Sequence, residues 1–404
     1  MSLEEVKTLA IFGTGITATA VREKLTEFPA YTEVSPDESP DVGIISPGLR
    51  TEEYLSKYSF PIISEIEWAL YLFKNVDKTP KFIAISGTNG KTTTTHLISH
   101  LLNIPMAGNV GIPLIRFVSP EISLIPDQIS LEISSYQLEQ SPAFQPDIYV
   151  LLNITEDHLD RHETMKNYAE IKLRPAHHQH SEQFFIYNGQ DTWIQKMLPF
   201  PDSLSCQCID FTKKQADFSD EIQASPLLGN HNVENLLAAL CAASIGETKP
   251  HRFLQAVQSI QPIPHRLEKV SVLRGITFIN DSKGTNPDST LAALHSLPLD
   301  KVILLLGGQR KQVSYETLFS LIENHRVRVI TFGQDAQFFN EHLQNITPIL
   351  GTKSKMSEAT NLAFSLASSG DIVALSPGCA SFDEFKNFEE RGHAFRDAVS
   401  RLSA

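Results

Sequence analysis

Residues 81–95, KFIAISGTNGKTTTT, decide how the chain is read. Residues 82–85 are a short apolar run of the kind a buried parallel strand uses, and a glycine-bracketed turn, a lysine and a row of threonines follow it. Gly87 and Gly90 let the backbone turn tightly and bring its N–H groups against a polyphosphate with no side chain in the way. Lys91 adds a point charge for the terminal phosphates. The Thr92 hydroxyl can ligate Mg²⁺, with Thr93 next in the same turn. A helix opening near Lys91, with Leu97, Ile98, Leu101 and Leu102 at helical spacing, aims its positive dipole end at the same anion. Ile85 stands where the full GxxxxGK[ST] form has its first glycine, and a bare GxxGKT also occurs in turns that merely join strand to helix. The order strand, glycines, lysine, hydroxyl and amphipathic helix favours nucleotide binding.

At 404 residues the chain is too long for one ordinary core and implies two or three domains of about 100–200 residues each. No apolar run approaches the ~20 residues of a membrane span, and the acidic start MSLEEVKTLA leads directly into a strand, so a cytoplasmic protein without a secretory signal is expected. The net charge of −13, from 47 acidic and 34 basic residues, argues against nonspecific nucleic-acid binding and membrane-surface docking. Cys206, Cys208, Cys241 and Cys379 lack zinc-type spacing and read as free thiols. His177, His178 and His180 read as a solvated helix face rather than a metal site.

The expected architecture is α/β in three parts: a small Rossmann-like domain (1–80), a central P-loop ATPase domain (81–264) and a C-terminal Rossmann-like domain (265–404). Strands are expected at 8–12, 42–46 and 62–63, the first followed by the GxGxxA loop Gly13–Ala18, with Glu33 about where a ribose-binding acid belongs. Residues 75–80 read as a linker. Further strands at 129–133, 148–153, 184–187 and 208–211 alternate with helices, and their unbroken apolar character indicates a parallel sheet covered on both faces. After 261–264 (QPIP) a third set is expected at 276–280, 302–306, 327–332 and 372–375.

Strand ends are where such sheets bind ligands. Glu132 closes one strand; buried there it needs a cation, and Mg²⁺ is the natural partner, although a carboxylate before Ser134 and Ser135 also suits a helix start. Another strand end carries the acid- and histidine-rich run 153–162, NITEDHLDRH, in which His158 is the best ligand or substrate contact, with Asp157 and Asp160 as supports. Asn232 and Asn235 open an alanine-rich helix and either read an adenine edge or cap it. The loops 280–286 (NDSKGTN), 307–311 (GGQRK) and 376–381 (SPGCAS) should line one cleft suited to a carboxylate-bearing substrate.

GTNGKT, LEISSYQLE, NITEDHLDRH, GNHNVENLLAAL, His265-Arg266, NDSKGTN and SPGCASFDEFKNFEERG, in this order, resemble the Mur ligase family, which builds the peptide of bacterial cell-wall precursors. The resemblance runs from Gly13 to Gly392, and NDSKGTN with SFDEFKNFEERG looks most like the branch that adds D-glutamate. It implies a uridine-nucleotide-binding domain, an ATPase and a C-terminal domain that closes over the site. ATP would phosphorylate the carboxylate of UDP-N-acetylmuramoyl-L-alanine, and the amine of D-glutamate would displace phosphate from the acyl phosphate. Such an enzyme is expected to use ATP with two Mg²⁺ ions and to act as a monomer.

Residue by residue, the resemblance places Gly87, Thr88, Asn89, Gly90, Lys91, Thr92, Thr93, Asn232, Asn235, Arg266 and Asp281 at ATP. It places Gly15, Ile16, Thr17, Gly48, Asn109 and His158 at the UDP-sugar. Lys283, Thr285, Lys311, Ser381 and Phe388 match the D-glutamate pocket. Lys91, Glu132, His158 and Lys172 would carry the chemistry, with Thr92, Glu132, His158 and a carbamylated Lys172 at the metal; the residues alone make Lys172 an ordinary helix-surface lysine. Three departures stand out: Gln309-Arg310 replaces a small acidic-glycine pair, Pro175 threatens to end the helix of Lys172 early, and the chain is short for the family. Other readings are a sister ligase such as a folylpolyglutamate synthase, a nucleotide-binding module without ligase activity, and a dehydrogenase using the Gly13 loop.

Overall fold

The computed structural model describes residues 6–109, 111–227, 229–246, 253–261 and 263–402. Residues 1–5 of the acidic start, Pro262 of the proline-rich connection and the side chain of Asp160 lie outside the described residues. The strands form three sheets. The first holds β1 (Thr8–Phe12), β2 (Thr32–Glu33), β3 (Val42–Ile45) and β4 (Ile62–Ser64), all parallel in the order β2-β1-β3-β4.

The second holds β5 (Lys81–Ser86), β6 (Met106–Gly108), β7 (Gln128–Glu132), β8 (Ile148–Leu151), β9 (Phe184–Tyr187) and β10 (Gln207–Asp210). Its order is β10-β9-β8-β5-β7-β6, parallel throughout. The third holds β11 (Glu268–Leu273), β12 (Ile276–Asn280), β13 (Val302–Gly307), β14 (Arg328–Phe332), β15 (Ile349–Lys353) and β16 (Ile372–Leu375), ordered β11-β12-β16-β13-β14-β15. It is parallel except for β11, which runs antiparallel to β12.

The fully buried run of β13, VILLLG, shows why these sheets form: with helices on both faces, neither face needs polar residues. The expected strands are present within two residues at each end. Three short or edge strands, β6, β11 and β15, have no counterpart in the expectation.

The described residues pack as two compact units. One comprises the chain as far as Ile154 with Asp160–Ala224 and Glu234–Gln258, and so contains the first two sheets. The other comprises Thr155–Leu159, Ser225–Val233 and the chain from Ser259 onward. Inside the first unit the two sheets are joined by Ser64, whose hydroxyl lies 2.6 Å from that of Ser141 and whose N–H reaches the Gln140 carbonyl at 3.0 Å. Glu65, 2 % exposed, accepts the Ile115 N–H, and burial pushes its carboxyl up to about 7. Trp68 is fully buried beside Tyr31 and Tyr71. Residues 75–80 are thus flanked by elements already packed together.

Candidate active site

In the first unit, β5 ends at Ser86 and the helix Lys91–Leu102 starts five residues on. Gly87 and Gly90 have φ of 150° and 84°, and a Cβ on Gly90 would lie 2.2 Å from Asn235 Oδ1, so this turn requires glycine on both conformational and steric grounds. Asn153, at the end of β8, clamps the turn: its Oδ1 accepts the Asn89 N–H at 2.8 Å, its Nδ2 donates to the Asn89 carbonyl at 3.2 Å, and its own carbonyl accepts the Thr88 N–H at 2.9 Å. Lys91 Nζ folds back onto the carbonyls of Gly87 (2.8 Å) and Thr88 (2.7 Å). Thr92 and Thr93 are buried at the start of the helix, and Thr94 Oγ1 lies 3.4 Å from Asn235 Oδ1. Asn232 and Asn235 both sit buried on the helix Asn230–Ala243.

Lys172 is no surface lysine. It is 1 % exposed, its Nζ donates to the Gly87 carbonyl at 2.9 Å and to Ser86 Oγ at 3.4 Å, and it lies 4.7 Å above the ring of Tyr168. Two lysines therefore converge on one peptide carbonyl of the glycine turn. Nor does Pro175 end the helix, which runs Met165–His178. Its missing N–H costs one bond near the C-terminal end, where few turns remain to be disrupted. His177, His178 and His180 are exposed, as expected of a solvated face.

Glu132, at the end of β7, is 2 % exposed. Its Oε1 accepts from Asn109 Nδ2 at 3.0 Å, while Oε2 is buried with no hydrogen-bond partner. The close approach depends on Gly108 (φ 111°), where a Cβ would sit 2.0 Å from the Glu132 carbonyl oxygen. A buried carboxylate oxygen left open in this way suits a divalent cation. Among the described residues no three His, Cys, Asp or Glu side chains gather as a metal cluster.

On the first sheet, the loops after β1 and β3 lie side by side, with Gly13 (φ 113°) against Ser46. Gly15 and Gly48 are exposed there, Ile16 is 72 % exposed and Thr17 is half-buried. Glu33 is held by Arg22 at 3.0 Å, an ion pair that occupies the acid a dinucleotide ribose would need.

In the second unit, Asp157 is the hub. Only 4 % exposed, it accepts from Lys311 Nζ at 2.7 Å and Asn286 Nδ2 at 3.3 Å, and its Oδ2 lies 3.5 Å from Nε2 of His158, a residue held at φ 56°. His158 and Lys311 are thereby brought together through one carboxylate. The Gln309-Arg310 departure leaves Lys311 free to do this. Gln309 pairs with Ala380 through its backbone only, and Arg310 turns to Asp335 and to the ring of Phe338 at 4.3 Å.

Lys283 Nζ lies 3.9 Å from the ring centre of Phe388, and Thr285 is half-buried in the same loop. Ser381 is 2 % exposed. Asp281 accepts from the Leu267 N–H (3.2 Å) and Ser376 Oγ (2.7 Å), and burial pushes its carboxyl up to about 7. Arg266 is half-buried between His265 (φ 64°) and Leu267 (φ 44°). The three loops expected to share a cleft are bonded to one another: Gly378 N–H to the Gly284 carbonyl at 2.9 Å, Gly307 N–H to that of Pro377 at 3.0 Å, and Gln309 with Ala380.

Sequence reasoning missed Arg391. It is 1 % exposed and donates to the carbonyls of Ser282 (2.8 Å), Cys379 (3.0 Å) and Ala380 (3.2 Å) and to Ser282 Oγ (3.0 Å). Burial pulls its guanidinium down to about 10, still charged at neutral pH. Its sequence neighbours Glu389 and Glu390 disguise it as one member of a charged helix face.

Residues 85–243 match the family model of the Mur ligase middle domain, and residues 265–379 that of the Mur ligase glutamate ligase domain. The chain is 36 % identical over 390 residues to the UDP-N-acetylmuramoylalanine–D-glutamate ligase of Acidobacterium capsulatum, covering 89 % of this chain and 82 % of that one. Identity to the protein of the same name from Bacteroides fragilis is also 36 %, over 90 % and 86 % of the two chains. The solved MurF ligase of Thermotoga maritima in complex with ADP shares the fold, with a TM-score of 0.61, 14 % identity and coverage of 99 % and 97 %. With both family models matched and relatives of this identity spanning most of their length and its own, the chain belongs to the Mur ligase family.

Proposed function

We propose that the protein is an ATP-dependent ligase that adds D-glutamate to UDP-N-acetylmuramoyl-L-alanine through an acyl phosphate, in the synthesis of peptidoglycan precursors. The observation that carries this reading is the identity to relatives of that name over almost the whole chain, glutamate ligase domain included. We read the enzyme as a cytoplasmic monomer; among the described residues no helix is long and apolar enough to cross a membrane.

In this reading the loop from Gly87 to Thr93 binds the ATP phosphates through N–H groups beyond Asn89, those of Thr88 and Asn89 being held by Asn153, and Lys91 swings from its own loop carbonyls to the transferring phosphoryl group. Glu132 and Thr92 would hold Mg²⁺, which supplies charge neutralisation at the phosphates. Lys172, adjacent to the same loop, would join them as a carbamate, since addition of CO₂ to the neutral amine replaces a cation with a carboxylate-like anion. The loops after β1 and β3, with Asn109, take the UDP-sugar. Lys283, Thr285, Lys311, Ser381 and Phe388 take D-glutamate, the lysines countering its two carboxylates. His158 is oriented by Asp157, and the exclusion of water protects the acyl phosphate.

The deciding experiment incubates enzyme, ATP, Mg²⁺ and UDP-N-acetylmuramoyl-L-alanine with labelled amino acids and reads both ADP release and incorporation. D-glutamate alone should be incorporated. Incorporation of L-alanine, L-lysine or diaminopimelate would identify a sister ligase, and ATP binding without substrate-stimulated turnover would identify a binding module.

A further inference from the structure

Arg161 lies in the dense run after β8 and has no role in the reaction as read above. Its side chain is 5 % exposed and is divided between two elements. Nε donates to Glu139 Oε2 at 2.9 Å, Nη1 donates to the carbonyls of Leu49 (2.8 Å) and Pro47 (3.4 Å), and the guanidinium lies 4.3 Å above the ring of Tyr136. Pro47 and Leu49 flank Gly48 in the loop after β3. Tyr136 and Glu139 lie on the short helix Ser135–Glu139, whose N-cap Ser134 is two residues beyond Glu132. The next residue, His162, holds the start of that helix through Ser135 Oγ at 2.9 Å. The first and second sheets are thus tied, inside one unit, at the two strand ends that matter to a substrate spanning them.

We propose that Arg161 is a positioning residue for the sugar nucleotide: it fixes the loop around Gly48 relative to the strand end that bears Glu132, so that a substrate held by its nucleotide on the first sheet presents its carboxylate at the second. A planar fork suits this task. It serves a carboxylate and two carbonyls in one plane while stacking on an aromatic ring, which a lysine cannot do. The proposal rests on the reading of the Gly48 loop as the UDP-sugar site.

The test measures binding of UDP-N-acetylmuramoyl-L-alanine by titration calorimetry without ATP, alongside steady-state kinetics. In Arg161→Met, Kd and KM for the sugar nucleotide should rise about tenfold or more, while KM for ATP and for D-glutamate stay within about twofold, and Arg161→Lys should recover only part of the loss. Glu139→Gln, which leaves the loop carbonyls bonded, should give a smaller change with the same selectivity and serves if Arg161→Met fails to fold. An unchanged KM for the sugar nucleotide, or an equal rise in all three, overturns the proposal. Wild-type protein that binds no UDP-sugar sinks the functional reading as well, whereas normal wild-type binding with an indifferent Arg161→Met sinks this proposal alone.

Discussion

Each unit sets a buried cation against loops at its strand ends, and the pair Lys172 and Arg391 differ in kind. Lys172 and Arg391 are both 1 % exposed and both bond to main-chain carbonyls of a loop at strand ends. Arg391 makes three such bonds and a fourth to Ser282 Oγ across two loops, through a fork that stays charged in protein interiors. Lys172 has the bonds to Gly87 and Ser86 and a ring beneath it, and a lysine amine can lose its proton and react. The difference teaches what each kind of buried cation can do: an arginine fork stitches several carbonyls at once, whereas a lysine amine beside the Gly87 turn keeps the capacity to lose its proton.

The largest effect expected belongs to neither of these two but to Lys91, the second cation on Gly87. On the proposed role of its charge at the transferring phosphoryl group, Lys91→Ala should lower turnover by about three orders of magnitude with the unfolding midpoint nearly unchanged. A kcat within tenfold of wild type would refute that role. Lys172→Ala should follow, with a loss on the order of a hundredfold, partly restored by added formate or acetate. Absence of any rescue would return Lys172 to a purely structural part and erase the contrast with Arg391.

Arg391→Met should act mainly on stability, costing about 3 kcal/mol in denaturant unfolding because four carbonyl and hydroxyl acceptors lose a charged donor in a buried site. A loss below about 1 kcal/mol would show that the loops hold themselves. The smallest effect expected concerns pH. Burial raises the Asp281 carboxyl from 3.8 to about 7, so the folded state holds its proton more tightly than the unfolded chain. That contribution is present at acid pH and is lost as pH climbs from about 4 to about 7. Asp281→Asn should flatten this fall for the second unit while leaving the matching one from Glu65 in the first, and an unaltered pH profile of stability would assign the slope elsewhere.

Much of this was legible in sequence where a local pattern carries the physics. The apolar run before Gly87, the two glycines and the helix after Lys91 each announce themselves within a few residues. Burial of a polar side chain does not, because it depends on what the chain folds against. Lys172 looks like a surface residue until one notes that Tyr168, Ala169, Leu173 and Ala176 are all buried on the same helix, a stripe that passes through position 172. That spacing was the available signal. Arg391 offered none of comparable strength, since its partners lie at Ser282 and at Cys379 and Ala380, in two other loops. β6, β11 and β15 escaped for a different reason: short or edge strands lack the long apolar run that marks a buried strand. Asp157 reads as one acid among several until the fold brings Lys311 and Asn286 to it.

The chain's two tryptophans have a practical corollary. Trp68 is sealed beneath tyrosines at the seam of the first two sheets, and Trp193 sits with Lys196 at 4.3 Å from its ring on the short helix after β9. Both belong to the first unit and none to the second. Indole emission will therefore report loss of the first unit alone, and an unfolding curve followed at that wavelength will be blind to the unit that Arg391 holds together.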